Sequence, residues 1–126
     1  MIVRQQIDRV TVTDTDWNAV NIINPQGQGG WLLVCEHASR RIPDALGGLG
    51  LSSAAGGSHA AWDIGALDVA HALSDALDAP LVAGDISRLV YDCNRPITAP
   101  DCVPARSEVY DIPGNAGLDD ARRQQR

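Results

Sequence analysis

Residues 31–37 read WLLVCEH, five residues typical of a β-strand followed at once by an acid and an imidazole. A short continuous apolar run after the glycine-rich turn sequence of residues 24–30, NPQGQGG, predicts a buried strand. Polar groups that directly follow such a strand lie at its carboxyl end, where α/β proteins bind their ligands. We therefore predict that Glu36 and His37 belong to a functional site.

The segments after this strand predict an α/β fold. A long glycine-rich loop, with one short helical turn after Pro43, leads to residues 62–77, where apolar residues recur at spacings of three and four. This spacing predicts an amphipathic helix. Residues 80–85, PLVAGD, predict a second strand, and residues 88–93, RLVYDC, predict a third. The order of strand, helix and strand suits a βαβ crossover in an α/β sheet.

The length of the chain predicts a single domain. We interpret residues 1–29 as an N-terminal leader and residues 30–126 as the domain itself. A helix is expected to open at Leu118, but the sequence that follows it, ending in RRQQR, offers almost no apolar face. We therefore expect the domain to be incomplete in this chain.

Composition excludes several classes of function. The formal net charge of −6 argues against binding to nucleic acid or to an anionic membrane. All basic residues are arginine, which excludes lysine Schiff-base chemistry and a lysine-bearing P-loop. The three cysteines form no CxxC pair, so we expect reduced thiols and no four-cysteine zinc site. No apolar run approaches the roughly 18 residues of a membrane span, and we expect a cytoplasmic protein.

One group of candidate site residues surrounds His37. This histidine and Asp63, with His59 as a further candidate, could bind one divalent ion and leave a position open for water. Glu36 could then accept a proton from that water. The alternative is structural: Asp63 caps the N-terminus of the helix, His37 caps a loop, and Glu36 is solvated or paired with an arginine.

A second group contains Arg88, Asn94 and Arg95. A planar guanidinium offers paired donors that match a carboxylate, so these residues could bind an acidic substrate. In the alternative interpretation, Arg95 pairs with Asp92 or Asp101 and only fixes the loop. The two interpretations predict different partners for the same guanidinium.

Four sequence blocks resemble the N-formylglutamate amidohydrolase family in order and spacing. They are LLVCEHASRRIP (32–43), SHAAWDIGALDVAHAL (58–73), SRLVYDCNRP (87–96) and SEVYDIPGNAGL (107–118). The resemblance covers residues 30–126. It implies a central mixed sheet flanked by helices, similar to the fold of zinc carboxypeptidases and phosphorylase-like hydrolases. In such proteins two histidines and one carboxylate hold zinc at the strand ends.

The resemblance also implies roles for individual residues. His37 and Asp63 fall on zinc-ligand positions, and Arg88 falls on the arginine of the SR block, a catalytic position whose guanidinium would help to hold the developing oxyanion. Asn94 and Arg95 fall on the pair that resembles the clamp for the substrate carboxylate. The implied reaction is hydrolysis of the amide of N-formylglutamate, or of a similar N-acyl amino acid, by a zinc-activated water, and the implied partner is a small anionic substrate.

The family pattern continues beyond the PGN block of residues 113–115, where it supplies its remaining metal histidine and its general acid or base. We therefore expect this chain to carry part of an active site. Two further hypotheses remain open from the sequence. One is a non-catalytic module that binds an acidic metabolite without a metal, and the other is an inactive truncated product. The sequence leaves the oligomeric state undetermined.

Overall fold

The computed structural model describes residues 18–126, so residues 1–17, most of the predicted leader, lie outside the described residues. Five strands, three α-helices and three short 3₁₀ segments form in this part of the chain. The strands are β1 (Val20–Ile23), β2 (Leu33–Cys35), β3 (Leu81–Gly84), β4 (Arg106–Ser107) and β5 (Tyr110–Asp111). The α-helices are α1 (Ser53–Gly57), α2 (Ala66–Leu77) and α3 (Asp120–Gln124), and the 3₁₀ segments are Asp44–Gly50, Pro100–Cys102 and Pro113–Asn115.

The main sheet has three strands in the order β1-β3-β2. β2 runs parallel to β3 with Val34 opposite Val82, and β1 runs antiparallel to β3 with Ile22 opposite Val82. α2 lies between β2 and β3 in the chain and packs on the sheet. The structure thus confirms the predicted α/β class and the predicted order of strand, helix and strand. β1 was not predicted as a strand.

Two apolar clusters support the fold. The first lies between the sheet and α2, where Leu81 and Ala83 of β3 pack against Leu67 and Ala70. The second lies below the long loops and contains five buried residues, namely Leu49, Ala61, Leu89, Val90 and Ile112. The second cluster matters for function because it anchors the segment that precedes Asp92.

The prediction of a buried strand over residues 31–35 is wrong in its extent and its burial. Only Leu33–Cys35 form β2, and Trp31, Leu32 and Val34 are 67%, 65% and 58% exposed. The cause is the position of β2 at the edge of the sheet, with α2 covering one face only. Alternate side chains of a strand point to opposite faces, so one face of β2 stays open.

The prediction of a third strand over residues 88–93 is also wrong. The Val90 amide donates to the Ser87 carbonyl at 2.9 Å, and the Leu89 amide donates to Ser87 Oγ at 3.2 Å. These bonds close a turn over residues 87–90, and both apolar side chains of the turn are fully buried. The apolar run therefore correctly indicated burial, but Asp92, Asn94 and Arg95 follow a turn rather than a strand.

The start of α2 differs from its prediction. The helix begins at Ala66, and its N-cap is Gly65, whose φ of 84° is in the left-handed region that glycine adopts without strain. In the structural alternative considered from the sequence, Asp63 caps this helix. Its carboxylate instead binds other side chains, as described below, so the structural interpretation of Asp63 is wrong.

The structure tests two further expectations from composition. No helix within residues 18–126 is long and apolar enough to cross a membrane. Cys35, Cys93 and Cys102 form no disulfide with one another, and Cys35 and Cys102 are buried.

The turn over residues 24–28 is tied to the end of α2 by Asp78. The Asp78 carboxylate accepts hydrogen bonds from the Gln28 amide at 3.0 Å and from Asn24 Nδ2 at 3.1 Å. The Gln28 bond, followed by the Asn24 bond, lowers the pKa of Asp78 below its ordinary value of 3.8. Because the folded-state pKa is the lower one, this stabilisation is present above the unfolded pKa and is lost as the pH falls through the folded value.

We predict that Asp78→Asn makes the melting temperature less dependent on pH in the acidic range. Asparagine tolerates the left-handed conformation of this position, where φ is 45°, but does not titrate. Between about pH 6 and pH 3, the melting temperature of the wild type is expected to fall further than that of the variant. Asp75→Asn is the control, since Asp75 is an exposed aspartate of the same helix. Parallel curves for the wild type and Asp78→Asn would contradict the prediction.

Candidate functional site

The centre of the candidate site is the buried imidazole of His37, which lies between two carboxylates. Nε2 lies 2.7 Å from Asp92 Oδ1, and Nδ1 lies 3.3 Å from Asp63 Oδ2. His37 follows β2, Asp63 precedes α2, and Asp92 follows the turn over residues 87–90. Three separate parts of the chain therefore meet at one imidazole ring.

Arg88 closes these residues into a ring of contacts. Its Nη1 donates to Asp63 Oδ1 at 3.2 Å, and its Nη2 donates to Asp92 Oδ2 at 3.0 Å. Each carboxylate thus gives one oxygen to His37 and the other to Arg88. We call His37, Asp63, Arg88 and Asp92 the charged ring.

Backbone hydrogen bonds hold the elements of the charged ring in place. The Asp63 amide donates to the His37 carbonyl at 3.0 Å, and the Asp92 amide donates to the Cys102 carbonyl at 2.8 Å. Ser87, directly before Arg88, is fully buried and donates from Oγ to the Ala61 carbonyl at 2.8 Å. The positions of the charged side chains are therefore fixed by the backbone that carries them.

Asp92 is ionised in this environment. Burial by itself would raise the pKa of its carboxyl group. Hydrogen bonds from His37 and from the Asn94 amide, together with the charges of His37 and Arg88, outweigh burial and bring the pKa below its ordinary value. An ionised carboxylate only accepts hydrogen bonds, so the proton in the 2.7 Å contact belongs to His37 Nε2.

This assignment determines the chemistry of the other ring nitrogen. With Nε2 donating to Asp92, Nδ1 of His37 is the ring nitrogen that faces Asp63 Oδ2, 3.3 Å away. A proton on Nδ1 closes this contact as a hydrogen bond, and a metal ion bound to both atoms would take the place of that proton. Two ligands of a tetrahedral zinc ion, each about 2.1 Å from the metal, lie about 3.4 Å apart. The donor pair therefore fits zinc.

The position of Asp92 also fits a metal ion bound by His37. A histidine that binds a metal usually donates its other N–H to a carboxylate, which fixes the tautomer and the orientation of the ring. The sequence analysis considered Asp92 only as a partner of Arg95 and missed this role. The available signal was an acid placed directly after the apolar run RLVY.

The described part of the chain brings two candidate metal ligands, His37 and Asp63, together at this place. Within residues 18–126, no group of three or more His, Cys, Asp or Glu side chains is arranged to hold a metal ion. His59, a candidate from the sequence, forms an ion pair with Glu108 at 2.7 Å instead. The structure does not bring His59 into the charged ring.

Glu36 lies beside the ring in an open cleft. The cleft has a volume of about 630 Å³ and is bordered by Glu36, His37 and Asp63 on one side and by apolar residues such as Ile64 and Val69 on the other. Glu36 is exposed, and the structure records no hydrogen bond or ion pair of its carboxylate with residues 18–126. The carboxylate is accessible from the cleft that leads to His37.

The other two residues of the second predicted group, Asn94 and Arg95, lie beside Asp92. The Asn94 backbone amide donates to Asp92 Oδ1 at 3.1 Å, which is a structural contact. Arg95 Nε lies 3.7 Å from Asp92 Oδ2, and Arg95 Nη1 lies 3.5 Å from Asp101 Oδ2. The pairing expected in the structural interpretation of Arg95 is therefore present but loose. Substrate binding by Asn94 and Arg95 remains a prediction.

The cysteines near the site are poor nucleophiles. Burial, and then the charge of Glu36, raises the pKa of both Cys35 and Cys93, with Asp63 and Asp92 raising these two values further. A thiol must ionise to attack a carbonyl. The arrangement therefore favours chemistry based on His37 over thiol chemistry.

The fold and the site together define an α/β protein with a histidine held between two carboxylates beside the carboxyl end of a sheet strand. Residues 29–126 match the N-formylglutamate amidohydrolase family, and the chain belongs to this family. The chain also resembles the crystal structure of the gene product Atu2144 from Agrobacterium tumefaciens, with a TM-score of 0.83 and 54% sequence identity. This match covers 86% of the present chain and 43% of that protein. No protein among the curated ones matches the chain.

Proposed function

We propose that the protein is a metal-dependent amidohydrolase that cleaves the amide of N-formylglutamate or of a similar N-acyl amino acid. Family membership supports an amidohydrolase. The observation that supports the metal dependence is the convergence of two possible ligand atoms, His37 Nδ1 and Asp63 Oδ2, which lie 3.3 Å apart. We also propose that the sheet belongs to a fold of the zinc-carboxypeptidase type, of which the chain contains the part with β1, β2 and β3.

His37 and Asp63 would hold zinc in this proposal. Zinc, when bound, lowers the pKa of water and polarises a carbonyl, which are the two requirements of amide hydrolysis. Asp92 keeps the proton of His37 on Nε2 and so leaves Nδ1 free as a ligand. Arg88 holds the second oxygen of Asp63 and so leaves Oδ2 directed at His37.

Glu36 would transfer the proton. Its carboxylate is exposed on the same cleft as His37 and Asp63 and has no recorded partner within residues 18–126. General-base catalysis needs a carboxylate within reach of the attacking water and not neutralised by an arginine. Arg88 is already committed to Asp63 and Asp92 through both terminal nitrogens, so in this arrangement it orients ligands rather than binding the oxyanion.

Zinc binding tests the proposal. We predict that the wild-type chain, dialysed to equilibrium against buffer with excess zinc, binds about one zinc ion and that His37→Ala binds none, because the variant lacks a donor atom. His71→Ala is the matched control, since His71 is an exposed histidine of α2. Elemental analysis of the dialysed proteins gives the stoichiometry. Equal zinc content in the wild type and His37→Ala, or none in the wild type, would overturn the metal assignment. Formate release from N-formylglutamate then tests the reaction itself.

A further inference from the structure

A second cavity is bordered by Asp92. Its volume is about 210 Å³, and three arginines from separate parts of the chain line it, namely Arg88, Arg95 and Arg106. Asp92 and Arg88 border this cavity and also belong to the charged ring. A ligand in the cavity would therefore lie directly beside the site of the proposed reaction.

The three guanidinium groups differ in the donors they leave free. Arg88 uses both terminal nitrogens within the charged ring. Arg95 approaches Asp92 at 3.7 Å and Asp101 at 3.5 Å, and its guanidinium makes no recorded hydrogen bond within residues 18–126. Arg106 is oriented by its own hairpin of β4 and β5, where Nε donates to the Glu108 carbonyl at 3.3 Å and Nη1 donates to Asp111 Oδ1 at 3.1 Å.

The exposed carboxylates near the cavity bind Arg95 and Arg106 only weakly. The side chains of Asp101 and Asp111 are 56% and 75% exposed, and an exposed ion pair contributes little because water competes with it. Glu108 lies at the cavity but pairs with His59 at 2.7 Å. The carboxylate of a ligand can therefore replace Asp101 and Asp111 at small cost and gain charge-assisted hydrogen bonds in the cavity.

We propose that Arg106 is a specificity-determining residue, which binds, together with Arg95, a second carboxylate of the substrate distant from the amide that is cleaved. The cavity volume of 210 Å³ equals that of about seven water molecules in the liquid. This is enough for a carboxylate-bearing arm of the substrate. The inference rests on the proposed function and adds to it the reason for preferring a dicarboxylate over a monocarboxylate.

Binding of two matched compounds to the 126-residue chain tests this inference. N-formylglutamate and N-formylglutamine have nearly the same shape, but only the first has a side-chain carboxylate. We expect the wild type to bind N-formylglutamate about tenfold more tightly, as measured by isothermal titration calorimetry. Arg106→Gln is expected to bring the ratio of the two Kd values close to one, and Arg106→Lys is expected to keep part of the preference.

Arg122→Gln is the control, because Arg122 is an exposed arginine of α3 that does not line the cavity. Thermal melting of Arg106→Gln verifies that the variant is folded. A wild-type ratio near one, no binding of either compound, or an unchanged ratio in Arg106→Gln would overturn the inference. Failure of the proposed function gives a different result, in which the wild type binds no zinc while the preference for the dicarboxylate and its loss in Arg106→Gln persist.

Discussion

Asp92→Ala is expected to lower the free energy of unfolding by about 3 kcal/mol, because it leaves a buried network without its central charge. His37 is 7% exposed and would lose the acceptor of its Nε2 proton, which lies 2.7 Å away in the wild type. Arg88 would lose one of its two carboxylates. Removing one partner of a buried pair costs more than the pair contributes, since the remaining groups stay desolvated and unpaired. Urea unfolding measures this loss.

A second variant at the same position separates the charge of Asp92 from its shape. Asp92→Asn keeps an acceptor for His37 but removes the charge that fixes the tautomer, so we expect a smaller loss of stability and zinc binding weakened about 10- to 100-fold. Asp101→Ala is the control, because Asp101 is an exposed aspartate 3.5 Å from Arg95, and its loss is expected to cost at most about 0.5 kcal/mol. Equal losses for Asp92→Ala and Asp101→Ala would show that the charged ring does not stabilise the fold.

The parts of the fold that could be predicted are those that local pattern determines. The spacing of apolar residues in α2 and the short apolar run of β3 each depend on neighbours a few residues apart, and both elements formed where expected. Placing Glu36 and His37 directly after β2 followed from the same local reasoning, because the end of an apolar run marks the end of a strand. Helix and strand boundaries shifted by a few residues, as at Gly65.

Contacts across long sequence distances explain the errors. Asp63 has the sequence position of a helix cap, but His37 and Arg88, each about 25 residues away, bind its carboxylate. The turn over residues 87–90 replaces the expected strand because Ser87 bonds to Ala61 and because the second apolar cluster buries the turn. The spacing of apolar residues within one segment does not indicate these contacts between distant segments. The ring of four charged groups could therefore be seen only after folding had brought three segments together.

The proposed role of Arg106 in substrate specificity could not be predicted from the sequence for the same reason. The sequence places it 11 residues after Arg95 in a proline-containing segment without a regular pattern, and nothing local indicated a ligand. The hairpin of β4 and β5 brings it to the cavity that Arg88 and Arg95 also line. The guanidinium of Arg95 was enough to predict a carboxylate clamp at that residue. Its proposed partner, Arg106, could be recognised only from the folded structure.

Gly84→Ala is expected to disturb both the sheet and the site, because Gly84 ends β3 directly against the backbone of the residue before His37. A Cβ at position 84 would lie 2.2 Å from the carbonyl oxygen of Glu36 and 3.1 Å from its carbonyl carbon. Both atoms belong to the backbone, so no side-chain rotation relieves the overlap, and β2 must move away from β3. We expect a loss of about 3 kcal/mol in the free energy of unfolding.

The displacement of Glu36 would carry His37 with it, so the same variant is expected to bind zinc more weakly than the wild type. Gly30→Ala is the matched control, because a Cβ at position 30 meets no atom within 4 Å and no left-handed conformation is required there. Its stability and zinc affinity are expected to equal those of the wild type, since Gly30 lies before β2 and outside the charged ring. Urea unfolding and zinc titration of the two variants measure both effects. If Gly84→Ala lost stability but kept wild-type zinc affinity, the position of His37 would not depend on the contact between β3 and Glu36, and the charged ring alone would hold the imidazole in place.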